Sequence, residues 1–563
     1  MPQPGDRRAP VDPATRRWYR QAVVYCVDVD TFADSDGDGW GDLVGLISRL
    51  PHLARLGVTC LWLNPIHPTP NRDNGYDVAD YYAVDPRLGS LGDFVDLMHA
   101  AADHGIRVII DLVVNHTSDQ HPWFLAARAD PHSPYRDWYV WSDDEPQNRH
   151  QGVVFPGEQD ETWSWDEQAS AWYYHRFYGF QPDLNWANPH VRAEINRVIG
   201  FWLQLGVAGF RVDAAPFVLE LLSATADPGP MDFGILDGWR QHLQWRRADA
   251  VLLGEANVDP TQVPRYFGSG TGMADRMHPL FDFVLNPQIM LALARGDAEP
   301  VTECLRESPV RPDGGQWATF LRNHDELDLS RLTTDQRAEV FRAFGPRRTM
   351  QLYGRGLRRR LAPMLGNDRR RLELAYSLQF SMPGTPVLRY GEEIGMGENL
   401  ALKGRDAFRT PMQWDDSRNA GFSSAPARDL VRPVIARGEF GFRTVNVMRQ
   451  RSDQDALLTW FARLISIRRE CPEIGDGQAG IVDVELPRSV LAHRIDEPAG
   501  SLLFLHNLAD TPVKVELGRI DGVERIEQLF CSEGSEPLEG SLSGVGLAGY
   551  GYRWIRISRQ DAW

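Results

Sequence analysis

Short apolar runs alternate with candidate helices over most of the chain. Ala22–Val27, Thr59–Leu63, Arg107–Val114, Gly209–Val212, Val251–Gly254, Leu280–Leu285, Thr319–Arg322 and Pro386–Tyr390 are rich in Val, Ile, Leu or aromatic residues, and each runs into a loop signal. That pattern predicts buried strands. Leu43–Leu56, Leu91–His104, Pro189–Leu205 and Asp368–Phe380 are helix candidates between them. Eight strand–helix repeats predict an α/β fold, a (β/α)8 TIM barrel with a parallel sheet, formed by residues 1–115 and 186–476. The long polar segment after the third strand predicts an inserted domain, the B domain, over 116–185. From about Gly477 the pattern changes: Ser501–His506 and Val513–Leu517 alternate around an Ala-Asp-Thr-Pro turn. This predicts a hairpin within a C-terminal antiparallel β-sandwich over 477–563.

Composition narrows the function classes. The 563 residues include 60 basic and 77 acidic side chains, a formal charge of −17, and 42% are hydrophobic. A large core follows, and general disorder is excluded. The acidic balance argues against a nucleic-acid partner, which needs a basic face. The 18 Trp, 16 Tyr and 24 Phe could pack on sugar rings or simply fill the core. Five scattered cysteines, never in a CxxC pair, predict neither a disulfide framework nor a thiolate zinc site, and fit a reducing, cytoplasmic compartment. The polar stretch Met1–Arg20 has no apolar h-region, and no run of 18 apolar residues occurs; neither a signal peptide nor a membrane partner is expected. Nothing in the pattern speaks to oligomeric state.

Barrel enzymes carry their chemistry where strands end. The third predicted strand closes on Asn115-His116, the fourth runs through Arg211 to Asp213, the fifth ends at Glu255, the seventh leads to Asn323-His324-Asp325 and the eighth to Gly391-Glu392-Glu393. One carboxyl at a strand end can be a helix cap or an ion-pair partner. Three carboxyls beside two histidines and an arginine on one rim are costly unless they serve a function. Paired carboxyls in an aromatic-rich cleft point to glycosidic bond chemistry, with one acid for the leaving oxygen and one carboxylate for the anomeric carbon.

The blocks Asp111-Leu-Val-Val-Asn-His116, Gly209-Phe-Arg-Val-Asp213, Gly254-Glu-Ala-Asn257 and Asn323-His-Asp325 resemble the signature regions of glycoside hydrolase family 13, the α-amylase family. Gln181-Pro-Asp-Leu-Asn185 resembles the fifth region of its oligo-1,6-glucosidase branch. Asn74–Asp80, Asn115–Phe124, Arg358–Pro363, Asn367–Arg371 and Arg409–Trp414 are similar to its trehalose synthases, the maltose α-glucosyltransferases. The resemblance spans about Trp18 to Phe422. It implies Asp213 as the nucleophile of a β-glucosyl–enzyme, Glu255 as general acid/base with a pKa raised by neighbouring negative charge, and Asp325 as the third carboxylate, holding ring hydroxyls. It also implies that Arg211 keeps Asp213 ionised and that His116 and His324 bond sugar hydroxyls. Tyr76, Asp77 and Arg409 would close the end of a one-glucose pocket.

Asp34-Ser-Asp-Gly-Asp-Gly-Trp-Gly-Asp42 places Asp34, Asp36, Asp38 and Asp42 in a Gly-bent loop. Such carboxylates repel unless a hard cation neutralises them, or they form a solvated Asx-turn cluster. The resemblance implies a structural Ca2+ or Mg2+ there, with the Trp40 carbonyl as a further ligand, and a second site at Asn115, Asp183 and Glu220. No organic cofactor is expected.

Ala214 after the nucleophile, in light of the resemblance, implies α-1,4 rather than α-1,6 links. The acceptor-side loops depart from the trehalose synthase pattern: Val258-Asp259 stands where Gln-Trp is expected, and Leu221–Pro230 and Ala274–Phe281 are rewritten. Three reactions on a small α-glucoside substrate stay open: maltose–trehalose isomerisation, transfer to another acceptor, and hydrolysis of terminal α-1,4-glucosyl units. A catalytically dead binding module is the alternative of another class; the presence of all three carboxylates argues against it.

Overall fold

In the computed structural model of the chain, which describes residues 17–222, 229–270, 272–497, 500–517, 523–536, 538 and 542–559, eight parallel strands close into a barrel. They are β1 Val24–Val27, β2 Cys60–Leu63, β3 Arg107–Leu112, β4 Gly209–Val212, β5 Val251–Gly254, β6 Pro279–Phe281, β7 Gln316–Phe320 and β8 Thr385–Arg389. Each pairs with its sequence neighbours. Val24 lies opposite both Cys60 of β2 and Val387 of β8, which shuts the ring. The strands are buried on both faces, hence their unbroken apolar runs.

The helices between them start and stop on local chemistry. Asp42 caps Leu43–Leu56 by accepting the Gly45 N–H at 2.6 Å, and Gly57 ends it at φ +95°, a conformation a Cβ disfavours. Ser90 and Asp93 form a reciprocal capping box on Leu91–Asp103. Asn188-Pro189 opens Pro189–Gln204.

Between β3 and β4 lies a small sheet of Trp141–Ser142, Ala171–Tyr174 and Trp163–Asp166. After the barrel, five antiparallel strands run in the order Ala479–Ile481, Val490–Glu497, Gly500–Asn507, Tyr552–Arg559, Val523–Cys531. Val513–Val515 and Val545–Leu547 form a second, two-stranded sheet that shares their core. The C-terminal sheet docks on the barrel helix Arg369–Ser381, where the Trp554 indole N–H reaches the Ser377 hydroxyl at 2.9 Å.

Three expectations change. The sixth strand stops at Phe281 because the Asp282 carboxylate accepts the Leu285 N–H at 2.9 Å and starts the helix Leu285–Arg295. The seventh is shifted to Gln316–Phe320, leaving Leu321 and Arg322 outside the ladder. The expected hairpin does not form, because both edges of Gly500–Asn507 are taken by Val490–Glu497 and Tyr552–Arg559. The following segment therefore pairs with Val545–Leu547 instead. Among the described residues no helix is long and apolar enough to cross a membrane.

Candidate active site

At the C-terminal ends of the strands a cavity of about 530 Å³ opens, lined among others by Tyr76, His116, Asp213, Glu255 and Asp325. Arg211 organises it. Arg211 and Asp213 are two residues apart along β4 and its exit, so they share a face. The guanidinium, 1% exposed, donates through Nη1 to Asp213 at 2.6 Å and to Asp111 at 3.2 Å, and through Nη2 to Glu255 at 2.7 Å. Asp213 and Glu255 thus sit on the two prongs of one planar fork. Ala214 adopts φ +47°, unusual for a residue with a Cβ, and its N–H donates to Glu255 at 3.0 Å. Local strain of this kind persists where the surroundings over-determine it.

One cation facing three carboxylates cannot keep all of them ionised in a water-poor site. Burial pushes Glu255 up to about 7, with Arg211 opposing and the Asp213 charge adding to the rise. Burial likewise raises Asp213 and Asp111 to about 6 against the pull of Arg211. Desolvation thus outranks neighbouring charge as the cause of the Glu255 shift, and Arg211 offsets only part of the burial of Asp213. Asp325 differs: burial would raise it, but Arg405, His324 and Arg409 together hold it well below the usual carboxylate range. A nucleophile at Asp213 and a general acid at Glu255 would require the first deprotonated and the second protonated. The kcat/KM of an aryl α-glucoside is therefore expected to rise with pH through about 6 and to fall above about 7. Such a bell reports the coupled cluster rather than single residues; a pH–rate profile flat from about 5 to about 8, a unit outside each limb, would contradict it.

The other expected residues fall into two groups. Tyr76 lines the cavity, and its hydroxyl donates to Asp111 at 2.7 Å. His116 also lines it, but its Nε2 lies 3.0 Å from the Tyr76 carbonyl oxygen. His324 stands behind Tyr76, stacked on its ring and within 3.1 Å of Asp325. Arg409 likewise donates to the His324 carbonyl at 2.8 Å and to Asp325 at 3.3 Å. Both position Asp325 rather than form the cavity surface.

Asp77 is a correction. It is fully buried and accepts from the Thr69 hydroxyl at 2.8 Å and the Asp73 N–H at 3.1 Å. Asp73 is the carboxylate on the cavity, buried up to a pKa of about 6 and bonded by the Gln181 amide at 2.9 Å. Asn74 and Gly75 both have positive φ, and the Tyr76 N–H donates to the Asp73 carbonyl at 2.9 Å. That tight turn sets Asp73 and Tyr76 side by side and swings Asp77 away. Glu392 and Glu393 also leave the rim: Glu392 lies 3.4 Å from Arg360, and Glu393 accepts from Tyr25 at 2.8 Å. Sequence reasoning passed over Arg405, whose Nη1 lies 2.8 Å from Asp325 and whose Nε donates to Glu326 at 2.8 Å. Phe177, Phe217, Asn257 and Val258 also line the cavity. Of the rewritten loop Leu221–Pro230, residues 223–228 lie outside the described residues.

Carboxylate oxygens of Asp34, Asp36 and Asp42 lie within 4.8 Å of one another. No ion pair with a protein cation involves them among the described residues, and an all-oxygen donor set of this kind fits a hard divalent cation. Asp38 is outside that trio, its carboxylate turned onto the Trp40 N–H at 2.7 Å, and the Trp40 ring lies beneath Arg87. The second expected site is built differently. Asn115 donates its amide to Asp183 at 3.0 Å, the Arg176 N–H bonds Asp183 at 2.9 Å, and the Arg176 guanidinium bonds Glu220 at 2.7 Å. An arginine thus supplies the positive charge between those carboxylates.

Comparison with known proteins identifies the family. The family described as alpha amylase, catalytic domain, matches residues 27–345 and 357–477, and sucrose hydrolase-like, C-terminal domain, matches 500–556. The chain belongs to the alpha-amylase family and is a retaining glycoside hydrolase or transglucosylase of it. It is 39% identical over 561 residues to the trehalose synthase of Pimelobacter sp. (strain R48), covering 97% of this chain and 96% of that one. It is 39% identical over 554 residues to the trehalose synthase/amylase TreS of Mycobacterium tuberculosis (strain CDC 1551 / Oshkosh), covering 98% and 92%. Among solved structures, trehalulose synthase MutB from Pseudomonas mesoacidophila MX-45 superposes with a TM-score of 0.76 at 26% identity, over 98% of this chain and all of that one.

Proposed function

We propose that this enzyme interconverts maltose and trehalose by intramolecular transglucosylation. Asp213 attacks C1 of a terminal α-glucosyl unit while Glu255 protonates the departing oxygen. The glucose released turns within the cavity and attacks the glucosyl ester through its own anomeric hydroxyl. Glu255, now ionised, takes that proton, and the C1–O electron pair returns to Asp213. Asp325, ionised beneath Arg405 and Arg409, faces the ring hydroxyls and the positive charge that develops on the sugar. The observation that carries this reading is the Arg211 fork, which holds Asp213 and Glu255 side by side on one guanidinium at the cavity. The relatives named trehalose synthase support glucose as the acceptor. The free cysteines, most of them buried, support a cytoplasmic location.

Purified enzyme should be incubated separately with maltose and with trehalose and the products resolved. Each disaccharide is expected to yield the other. Glucose alone from both would leave hydrolysis of terminal α-1,4 units as the function.

The Asp34, Asp36 and Asp42 loop holds Ca2+ or Mg2+ structurally in this proposal. The ion would screen the three carboxylates and fix the loop against the start of helix Leu43–Leu56. Dialysis against a chelator is expected to lower the melting temperature and added Ca2+ or Mg2+ to restore it; a melting curve indifferent to both contradicts a bound ion.

A further inference from the structure

The loops after β5 and β7 bring together a set of polar groups that the chemistry at C1 leaves unused. Asp328 and Arg355 both line the cavity. Their backbones are fixed side by side: Leu327–Asp328 pairs antiparallel with Gly356–Leu357, and the Leu329 N–H donates to the Arg355 carbonyl at 2.9 Å. The Asp328 carboxylate is held in orientation. Its Oδ2 accepts from the Asn257 amide at 3.0 Å, and the Asn257 oxygen in turn accepts from Arg331 Nε at 2.9 Å. Its Oδ1 accepts the Ser330 N–H at 2.7 Å. A carboxylate has about four lone-pair sites, so about two stay open here. The Arg355 guanidinium makes no hydrogen bond among the described residues, and its Nε is buried. That Nε lies 3.9 Å from Asp328 Oδ2, too far for a hydrogen bond. The Arg355 and Asp328 side chains stay 24% and 20% exposed, so cation and carboxylate face open space rather than a closed core.

We propose that Asp328 and Arg355 grip the second glucose, the unit that departs when C1 is attacked and returns as acceptor, with Asn257 and Arg331 as positioning residues. For the return attack this rests on the isomerisation reading above. Each sugar hydroxyl donates one hydrogen bond and can accept others. The open lone pairs of Asp328 take the donated hydrogens, and the unspent N–H groups of Arg355 supply donors to the oxygens. A carboxylate and a guanidinium set side by side thus match a pair of adjacent hydroxyls. Asp73, Tyr76 and Asp325 belong to the glucosyl end of the cavity, whereas Asn257 stands two residues past Glu255, the acid for the departing oxygen. Directly after Asn257 the Gln-Trp of the trehalose synthase pattern is replaced by Val258-Asp259. The second glucose is therefore held by other groups in this chain, and the pair supplies them. No bond changes at the grip; it acts by orienting the anomeric hydroxyl of the held glucose.

The test compares kcat/KM for maltose with kcat/KM for a nitrophenyl α-glucoside, whose leaving group offers no sugar hydroxyls to hold. Wild type, Asp328→Ala, Arg355→Ala and Arg331→Ala are measured. The ratio of the two constants does not depend on the fraction of folded enzyme, and a merely structural role would lower both alike. Asp328→Ala and Arg355→Ala are each expected to lower the maltose-to-aryl ratio about tenfold or more, the scale of a lost hydrogen bond to a charged group. Arg331→Ala should move it in the same direction by less. A fall of less than about threefold at either Asp328 or Arg355 would overturn the grip. Hydrolysis of maltose must hold the same second glucose, so the ratio decides whichever product forms. A wild type that yields glucose alone from maltose would overturn isomerisation and leave the grip to that ratio, and a wild type inert on maltose would overturn both.

Discussion

Asp213→Asn is expected to lose turnover on maltose, on trehalose and on an aryl α-glucoside by on the order of 10⁴-fold or more, the scale seen when a covalent nucleophile is removed. The amide keeps the side-chain volume and can still accept from Arg211, so the barrel should fold and melt near the wild-type temperature. What is lost is the negative oxygen aimed at C1, and with it the β-glucosyl ester on which both halves of the reaction depend. All three substrates share that first half, so their losses should be parallel. Turnover within about tenfold of wild type, a loss worth only roughly 1.4 kcal/mol of barrier, would mean that another group attacks.

Arg211→Met is expected to act on stability and on protonation together. The wild-type guanidinium is 1% exposed and serves Asp111, Asp213 and Glu255 at 3.2, 2.6 and 2.7 Å. Removing one partner of such a buried network costs about 3–5 kcal/mol when the remaining charges stay unpaired. Here the carboxyls can take up protons instead, which reduces the penalty and moves it into catalysis. Without the cation the burial that already raises Asp213 is unopposed, so the acidic limb of the pH–rate profile should shift to higher pH and activity at neutrality should collapse. The melting temperature should fall by several degrees. The limb shift is the discriminating reading, because a purely structural arginine would lower stability and leave that limb in place.

The barrel was legible because its strands are buried on both faces and end in recognisable loops; Val24–Val27 and Val251–Gly254 are buried at every position. Strand ends were less so where a side chain cut the ladder short, as Asp282 does after Phe281. The carboxylates of the site were legible from their places after strands. Their supports were not. Nothing local in the sequence shows that Arg405 reaches Asp325 across separate loops, or that His324 lies behind Tyr76 instead of on the cavity. Asp73 is an intermediate case: Asn74-Gly75 signals a turn that brings its flanks together, whereas alternation along the motif favoured Asp77. The failed hairpin at Val513 has a nonlocal cause, since it was the return of Tyr552–Arg559 that filled the strand edge.

Mass analysis of the protein with an activated glucosyl donor would test the nucleophile most directly. In Glu255→Gln, which lacks the base that activates the second attack, an α-glucosyl fluoride needs no acid to leave and the ester should accumulate. Peptide mapping is expected to locate one glucosyl unit on Asp213, and none in the Asp213→Asn, Glu255→Gln double variant. A glucosyl unit on any other residue, or its persistence in the double variant, would contradict covalent catalysis by Asp213.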